Sequence, residues 1–478
     1  MTEQMAVTNL WTSGEAAKAM KAAFAGPTDK PIGSVSIDSR TVDGDAIFFA
    51  IKGDRFDGHA FVEKALADGA AFAVVAKDKL SELSVDPSRI MVVDDVLVGM
   101  EDLGRAARAR HAGKVIAITG SVGKTGTKEM LRHVFSANGK THASVASFNN
   151  HWGVPLTLSR TPSDIDYGIY EIGMNHPGEI VPLVDMVRPD VAIITTVEPV
   201  HLEFFENEQE IARAKAEIFT GIVTGGTAVL NLDNRHFNFL KDLAHEQGIK
   251  IATFGEGDSA DVRLLSAELD EEGTTVRASV FGKEVSYRLS QPGRHIVQNS
   301  LAVCTALHLT GADLETGLQT LASIEAGRGR GARLELDVDG GAITILDESY
   351  NANPASMRAA IGLLGAAQCG EGSRRIAVLG DMLELGEESD ALHAGLCDAL
   401  ISANVDLAFL SGPHMKALHE TIPTKMQGKY AATSDGLEER LLDTVAKGDV
   451  LMVKGSLGSR MGPIVDSLMA RFPTSSRP

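Results

Sequence analysis

A short glycine-rich turn carries the residues best suited to phosphate chemistry in this sequence. Its residues are Gly120-Ser121-Val122-Gly123-Lys124-Thr125-Gly126. Glycines let backbone N–H groups turn toward a phosphate, a lysine can meet its β and γ oxygens, and a threonine hydroxyl can hold Mg²⁺. The spacing departs from the standard phosphate-binding loop, because the first glycine lies only three residues before Gly123. An ordinary strand-to-helix turn is the alternative.

The residues on either side of this loop predict a strand before it and a helix after it. Residues 115–119 are five apolar or β-branched residues in a row, which is typical of a buried parallel strand. After the loop, apolar residues recur at helical spacing, and Asn138-Gly139 is a stop signal. These apolar residues are Met130, Leu131, Val134 and Phe135. A helix that begins at the loop adds positive potential toward a phosphate, so the whole pattern favours nucleotide binding.

Two side chains that follow predicted strands are candidates for metal binding. Glu171 ends a predicted strand at residues 167–172, and His201 follows the next one, at residues 191–196. The carboxyl ends of parallel strands meet at one edge of a sheet, where a carboxylate beside phosphate oxygens suits Mg²⁺. The alternatives are a solvated charge for Glu171 and an ordinary loop histidine for His201. Glu203 is an alternative ligand.

Lys215 lies on the apolar face of a helix predicted around residues 211–219. It follows Ile211 by four residues and precedes Ile218 and Phe219 by three and four, so it shares their face. Such a lysine either extends its ammonium group to solvent or is buried with a lowered pKa. A buried neutral amine can react with CO₂ to give a carbamate, which would bind Mg²⁺ as a carboxylate does. The spacing leaves both outcomes open.

Three further polar residues are candidates for nucleotide contacts. Asn299 enters an apolar helix after Gly293-Arg294-His295, and the alternative is a capping role. Asp347, at a predicted strand end, could accept hydrogen bonds from ribose hydroxyls. Arg333 could reach a phosphate across a domain cleft. On chemistry alone, each of these roles is about as well supported as a structural one.

The composition limits the possible partners. The chain has 478 residues, enough for about three domains, and its net charge is −19. That charge disfavours nucleic acid and anionic membranes as main partners, so a phosphorylated substrate must be held by local donors and Mg²⁺. Cys304, Cys369 and Cys397 cannot all pair, and no stretch has signal-peptide or membrane-spanning length. We therefore expect a cytoplasmic protein with no nucleic-acid partner and no membrane insertion. A monomer is a separate expectation, which the composition does not establish.

The order of predicted elements indicates an α/β protein with three domains. We expect a small α/β domain at residues 1–113, a central parallel-sheet domain with the phosphate loop at 114–327 and a Rossmann-like domain at 328–478. A hairpin is predicted around Glu271-Glu272-Gly273. The segment Gly327-Arg328-Gly329-Arg330-Gly331 is predicted to be a flexible basic linker.

The first domain offers one candidate ligand-binding region. Residues 37–41 and 46–51 are predicted short strands, and a polar loop at residues 52–59 follows them. Ser39, Arg40 and this loop could bind an anionic ligand. The alternative is turn chemistry with a surface arginine.

Together these residues resemble the Mur ligases. The resemblance spans all three domains and is carried by the phosphate loop and seven further motifs. The motifs are Asn149-Asn150 with Gly153-Val154-Pro155, Glu171-Ile172-Gly173-Met174-Asn175-His176, His201-Leu202-Glu203, Lys215-Ala216-Glu217-Ile218-Phe219, Gly293-Arg294-His295 with Asn299, Asp347-Glu348-Ser349-Tyr350-Asn351-Ala352-Asn353-Pro354, and Gly380-Asp381-Met382-Leu383-Glu384-Leu385-Gly386. The last two are the most specific to the members that add D-alanyl-D-alanine.

The resemblance implies ATP and Mg²⁺ as cofactors and assigns residue roles. The implied ATP contacts are residues 120–126, Asn299 at adenine, Arg333 at phosphate and Asp347 at ribose, with Arg328 and Arg330 as alternatives to Arg333. The implied Mg²⁺ positions are Thr125, Glu171, His201 and Lys215, the last as a carbamate. The implied catalytic residues are Lys124, Glu171, His201 and Lys215. The implied substrate contacts are Ser39, Arg40, Asn150, Asn351 and Lys454.

The reaction implied by the resemblance is ATP-driven amide formation. The carboxylate of UDP-N-acetylmuramoyl-tripeptide would be activated as an acyl phosphate and then captured by the amine of D-alanyl-D-alanine, with the domains closing to exclude water. One alternative is a related ligase that adds another amino acid, such as a folylpolyglutamate synthase. A second, from a different class, is a GTPase-like switch.

Overall fold

The computed structural model of the chain describes residues 9–53, 56–145, 147–199, 203–270, 273–325, 327–370 and 372–474. Within these residues, three main sheets occupy successive stretches of the chain, and helices connect their strands. The predicted three-domain α/β fold is confirmed. Every helix in these ranges is too short or too polar to cross a lipid bilayer.

The first sheet contains four parallel strands and one antiparallel edge strand. Its elements are β1 (Trp11–Thr12), α1 (Ser13–Ala19), β2 (Ala23–Phe24), β3 (Pro31–Ile32), β4 (Ser34–Ser36), β5 (Ala46–Phe49), α2 (Val62–Ala67), β6 (Phe72–Ala76), β7 (Ile90–Val93) and α3 (Val96–Arg110). The strand order is β2-β7-β6-β5-β4, and β1 pairs separately with β3. The strand predicted at residues 46–51 is confirmed as β5.

The strand predicted at residues 37–41 is wrong. β4 ends at Ser36, and Ser39–Thr41 forms a single 3₁₀ turn. The carboxylate of Asp38 accepts a hydrogen bond from the backbone N–H of Arg40 at 3.0 Å. This local cap stabilises a turn in place of the predicted strand.

In the central sheet, the predicted phosphate loop follows the third strand from one edge. Its elements are β8 (Lys114–Thr119), α4 (Lys124–Ser136), β9 (Thr141–Ala143), α5 (Gly153–Ser159), β10 (Tyr167–Glu171), α6 (Ile180–Val187), β11 (Val191–Ile194), α7 (Glu208–Ala216), β12 (Thr227–Asn231), α8 (Phe237–Glu246), β13 (Lys250–Gly255), β14 (Val262–Asp270), β15 (Gly273–Val280), β16 (Lys283–Leu289), α9 (Arg294–Thr310) and α10 (Leu314–Thr320). The order is β16-β15-β14-β13-β12-β11-β8-β10-β9. β8 therefore lies between β10 and β11, parallel to both.

Most central elements match their predictions. The strand before the loop, the helix after it and the hairpin of β14 and β15 are confirmed, although Glu271 and Glu272 lie outside the described residues. The helix predicted at residues 211–219 is divided, since α7 ends at Ala216 and a 3₁₀ turn, Glu217–Gly221, continues it. Buried apolar side chains cover both faces of the sheet, as expected for a parallel sheet between helix layers.

The third sheet has five parallel strands and an antiparallel edge strand. Its elements are β17 (Ala332–Val338), β18 (Gly341–Glu348), α11 (Pro354–Ala366), β19 (Arg375–Gly380), α12 (Ser389–Ala394), α13 (Cys397–Ser402), β20 (Leu407–Ser411), α14 (Met415–Thr421), β21 (Gln427–Ala431), α15 (Glu438–Thr444), β22 (Val450–Lys454) and α16 (Gly462–Arg471). The order is β17-β18-β22-β19-β20-β21, with β17 antiparallel to β18.

A polar and aromatic seam joins the first and central domains. Trp11 Nε1 donates a hydrogen bond to the carbonyl oxygen of Ser159 at 2.9 Å, and the Arg110 guanidinium lies 3.5 Å from the centroid of the Trp11 ring. Arg108 Nε donates to the carbonyl oxygen of Val187, at the end of α6, at 2.7 Å. These contacts anchor α3 and β1 directly on the helices of the central domain.

Candidate active site

Hydrogen bonds to the neighbouring strand end hold the glycine-rich loop in place. Ser121 Oγ donates to the carbonyl oxygen of Glu198 at 3.0 Å and accepts from the Glu198 N–H at 2.9 Å. Thr195 Oγ1 donates to the carbonyl oxygen of Val122 at 2.6 Å. Thr195 and Glu198 follow β11, so the parallel partner of β8 fixes the loop that β8 ends in.

Two loop positions admit only glycine. Gly120 has φ +144°, and a Cβ there would lie 2.0 Å from Thr195 Oγ1. Gly123 has φ +89°, and a Cβ would lie 2.7 Å from Oδ1 of Asn299, which is itself buried against the loop. A loop without side chains at these points lets its backbone N–H groups approach a phosphate closely. The helix α4 begins directly after Gly123 and points its N-terminus at the same place.

Lys124 folds back onto this loop. Its Nζ donates to the carbonyl oxygen of Gly120 at 2.6 Å and contacts that of Ser121 at 3.4 Å. Burial lowers the pKa of Lys124, the nearby Glu171 carboxylate opposes that shift, and the Arg330 guanidinium adds to it. Lys124 is therefore placed to exchange backbone carbonyls for phosphate oxygens.

Glu171 is a buried carboxylate, and one of its two oxygens has no hydrogen-bond partner among the described residues. Its Oε1 accepts hydrogen bonds from Thr125 Oγ1 at 3.1 Å and from Asn149 Nδ2 at 2.7 Å. Its Oε2 is buried without a hydrogen-bond partner among the described residues. A hard oxygen donor left open beside a threonine hydroxyl and a phosphate-type loop fits a Mg²⁺ ion.

The protein alone does not complete a metal site here. Among the described residues, no group of three or more His, Cys, Asp or Glu side chains is arranged to hold a metal ion. This fits Mg²⁺, which is held in nucleotide sites by one or two carboxylates together with phosphate oxygens. The predicted ligand His201 lies outside the described residues. Its alternative, Glu203, is exposed.

Lys215 is buried on α7, with only 2% of its surface exposed. Burial lowers its pKa well below the usual value for lysine, and the Lys124 ammonium group lowers it further. Of the two outcomes that the spacing left open, the buried one is found, close enough to Lys124 for their charges to interact.

The carboxylate of Asp347 is occupied within its own loop. Its oxygens accept hydrogen bonds from Gly329 N–H at 2.7 Å and Ser349 Oγ at 2.6 Å, and it is 1% exposed. The next residue, Glu348, is partly exposed and lies 3.5 Å from Lys454 Nζ. Its charge also acts on His295 of the central domain. Glu348 is therefore the acidic side chain that faces the central domain.

Of the three candidate arginines, Arg330 lies nearest the loop in this structure. Its Nη2 donates to Ser147 Oγ at 3.1 Å, and its guanidinium lies 4.0 Å from the centroid of the Tyr350 ring. Arg328 pairs with Asp466. Arg333, which the sequence favoured, is 63% exposed and lies 3.5 Å from Glu335. A phosphate contact by Arg333 would require its side chain to leave this pair.

The remaining predicted substrate residues differ in how they are held. Asn150 Oδ1 accepts from the N–H groups of Trp152 and Gly153 and so stabilises the start of α5. Lys454 is buried, its Nζ donates to the carbonyl oxygen of Asn351 at 2.9 Å, and burial lowers its pKa. The sequence did not reveal that Asn149, the neighbour of Asn150, donates a hydrogen bond to Glu171. The Asn149-Asn150 pair was the only signal for this contact that the sequence analysis had singled out.

In the first domain, the candidate anion-binding residues are close to one another in sequence but differ in exposure. Ser39 is buried, whereas the side chain of Arg40 is 82% exposed and pairs with Asp38 at 2.7 Å. Within the following loop, a Cβ on Gly53 would lie 2.7 Å from Cη2 of Trp152. The loop therefore touches the central domain just before α5. Asp54 and Arg55 lie outside the described residues.

Comparisons with known proteins agree on one family over the length of the chain. Family models match residues 31–109 (Mur ligase family, catalytic domain), 118–307 (Mur ligase middle domain) and 332–457 (Mur ligase, glutamate ligase domain). A three-domain α/β fold with a phosphate-type loop in its central sheet is the architecture of an ATP-dependent ligase. The chain belongs to the Mur ligase family.

Within the family, the relatives point to one member. The UDP-N-acetylmuramoyl-tripeptide–D-alanyl-D-alanine ligase of Escherichia coli is 32% identical, over 92% of this chain and 94% of that protein. The crystal structure of MurF from Acinetobacter baumannii superimposes with a TM-score of 0.82 at 29% identity, covering 96% of this chain and 99% of that one. MurF from Thermotoga maritima, solved with ADP, gives a TM-score of 0.75 at 26% identity, covering 92% and 97%.

The geometry of the loop predicts the effect of a single methyl group. Gly123→Ala would force an L-residue into a left-handed backbone and press its Cβ against Asn299. We expect ATP affinity, measured by calorimetry, to fall about tenfold or more. Gly362→Ala is the control, since a Cβ there meets nothing within 4 Å. Equal ATP affinity in the two variants would contradict this account of the loop.

Proposed function

We infer that this protein is an ATP-dependent, ADP-forming ligase that joins D-alanyl-D-alanine to UDP-N-acetylmuramoyl-tripeptide, a step in peptidoglycan precursor synthesis. The relatives that carry this name match the chain across more than nine tenths of its length. The observation that supports the chemistry best is the open Oε2 of Glu171, beside Thr125 and the glycine loop. A site built this way suits the phosphates of a nucleoside triphosphate and its Mg²⁺ ion.

The central domain supplies the electrostatics of phosphoryl transfer. The backbone N–H groups of the loop and the N-terminus of α4 face the phosphates, and Lys124 offsets the charge that develops on the γ-phosphate. Mg²⁺, when bound, would offset further negative charge, with Thr125, Glu171 and His201 as its proposed ligands. Because the whole chain is strongly acidic, this local positive potential is what holds a phosphorylated substrate.

The reaction proceeds in two steps. The terminal carboxylate of the tripeptide attacks the γ-phosphorus, the bond to the β-phosphate oxygen breaks, and ADP leaves an acyl phosphate behind. The amine of D-alanyl-D-alanine then attacks the acyl carbon, loses a proton and expels inorganic phosphate. The protein contributes positioning and exclusion of water, since an acyl phosphate exposed to solvent would be hydrolysed.

Three contacts of the substrates are assigned by position. We assign the ribose hydroxyls to Glu348 in place of Asp347, because the carboxylate of Asp347 is occupied in its own loop. Arg330 is the arginine proposed to assist Lys124 at the phosphates. Asn299 is proposed to contact the adenine, as it packs directly against Gly123.

The first and C-terminal domains are proposed to bind the two substrates that are joined. Ser39, Arg40 and the loop at residues 52–59 are proposed to bind the UDP end of the tripeptide, since this loop touches the central domain at Trp152. Asn351 and Lys454 are proposed on the acceptor side. The reaction is placed in the cytoplasm, in keeping with three cysteines that form no disulfide.

The proposed function predicts a strict requirement for both substrates. Phosphate release from ATP should be fast only when UDP-N-acetylmuramoyl-tripeptide and D-alanyl-D-alanine are both present, because the acyl phosphate must be captured by the amine. Glutamate in place of the dipeptide serves as the control acceptor. ATP turnover that is unaffected by the dipeptide, or equal turnover with glutamate, would rule the function out.

We further propose that Lys215 carries a carbamate. Its amine is buried and close to Lys124, so the neutral form is favoured, and attack on CO₂ forms an N–C bond with loss of one proton. The resulting carboxylate would turn an apolar-face lysine into an oxygen ligand beside the metal position.

The carbamate proposal has a direct spectroscopic test. With ¹³C-labelled bicarbonate, NMR should show a carbamate carbon in the wild-type protein that is absent from Lys215→Ala. Arg213→Ala is the matched control, because Arg213 lies on the same helix with its side chain 54% exposed. A carbamate signal that survives in Lys215→Ala, or none in the wild type, would show the proposal to be mistaken.

A further inference from the structure

The loop after β19, residues 381–386, is the part of the C-terminal domain that reaches toward the central domain at Glu203. A Cβ on Gly386 would lie 3.5 Å from Cα of Glu203. Met382 and Leu385 are buried in the core of the C-terminal domain, whereas Leu383 is 42% exposed. This β19 loop is therefore anchored from within its own domain and presents its tip to the other.

His393 is the innermost of these anchors. It is completely buried on α12, and its Nε2 accepts a hydrogen bond from the backbone N–H of Met382 at 2.9 Å. Because a backbone N–H can only donate, Nε2 carries no proton, and Nδ1 donates to the carbonyl oxygen of Ser389 at 2.6 Å. Burial lowers the pKa of His393, which favours this neutral form.

Two further hydrogen bonds act together with His393. Ser456 Oγ accepts from the Leu383 N–H at 3.0 Å, and Asp381 Oδ1 accepts from the Met415 N–H at 2.8 Å. Glu384, which follows, has φ +62° although it is not a glycine. A backbone strained in this way persists only where its surroundings hold it, and such strain is common at ligand-binding loops.

The position of the loop connects it with the acceptor rather than with the nucleotide. Ligands of open α/β sheets bind at the carboxyl ends of the strands, and the loop follows the carboxyl end of β19, next to β22 with Lys454. The glycine loop and Glu171, which are proposed to bind ATP and Mg²⁺, belong to the central domain. We therefore assign binding of the amine substrate to the C-terminal domain. The exposed Leu383 offers an apolar surface of the kind that suits the methyl groups of an alanine dipeptide.

We propose that His393 is a positioning residue for the acceptor dipeptide, since its bond to Met382 fixes the β19 loop that meets D-alanyl-D-alanine. The proposal rests on the proposed function. His393 itself touches neither substrate. Its contribution is to hold the strained backbone in the conformation that binds the dipeptide, so its loss should weaken dipeptide binding and leave nucleotide binding unchanged.

Two substitutions separate the Met382 bond from a general effect on folding. In His393→Asn, the shorter amide keeps a donor near the position of Nδ1 but has no acceptor at the position of Nε2. In His393→Gln, the longer amide can place its oxygen there. We expect H393N to raise the KM for D-alanyl-D-alanine about tenfold, with the KM for ATP unchanged, and H393Q to restore most of the loss.

Ser456→Ala provides a second, independent variant, because it removes the acceptor of the Leu383 N–H without touching His393. It should raise the same KM, and it decides the question if H393N does not fold. A rise in the KM for ATP, an unchanged KM for the dipeptide, or equal losses in H393N and H393Q would overturn the inference. A wild-type protein without dipeptide-dependent phosphate release would instead contradict the proposed function.

Discussion

A single buried carboxylate sets the constraint on which the rest of the site depends. Glu171 is 1% exposed and ends the strand beside β8, yet only one of its oxygens is hydrogen-bonded within the described residues. A buried oxygen without a hydrogen-bond partner costs free energy, which a bound ion or ligand would offset. The Thr125 hydroxyl donates a hydrogen bond to the other oxygen, Oε1, at 3.1 Å.

The first and C-terminal domains contact the central domain, which contains Glu171, through different sets of side chains. The first domain is fixed on the central one by the seam at Trp11, Arg108 and Arg110. The C-terminal domain reaches the central domain at Ser147 through Arg330. Arg330 belongs to the segment before β17, which is hydrogen-bonded to Asp347 through Gly329.

Periodicity and glycine spacing were enough to predict the fold class and the phosphate loop with its flanking elements. Those features depend on local patterns and on the parallel order of strands. For Lys215, periodicity left burial and extension to solvent both open. The sequence does not show the hydrogen bonds that the candidate side chains make. Nothing in the sequence around Asp347 shows that Gly329 and Ser349 occupy its carboxylate, and nothing around Arg330 shows that Ser147 lies opposite. The strand prediction for residues 37–41 was wrong for a local reason. The hydrogen bond from the Arg40 N–H to the Asp38 carboxylate stabilises a turn there, and this outweighs the strand propensity of the segment.

The most direct test measures how Mg²⁺ changes ATP affinity in the wild-type protein and in Glu171→Gln. The glutamine keeps the shape of the glutamate side chain and the hydrogen bond from Thr125, but it lacks the carboxylate oxygen that is proposed to bind Mg²⁺. The account predicts that Mg²⁺ strengthens ATP binding markedly in the wild type and hardly at all in the variant, with both proteins equally folded by circular dichroism. An equal gain from Mg²⁺ in the two proteins would show that the open oxygen of Glu171 does not hold the metal.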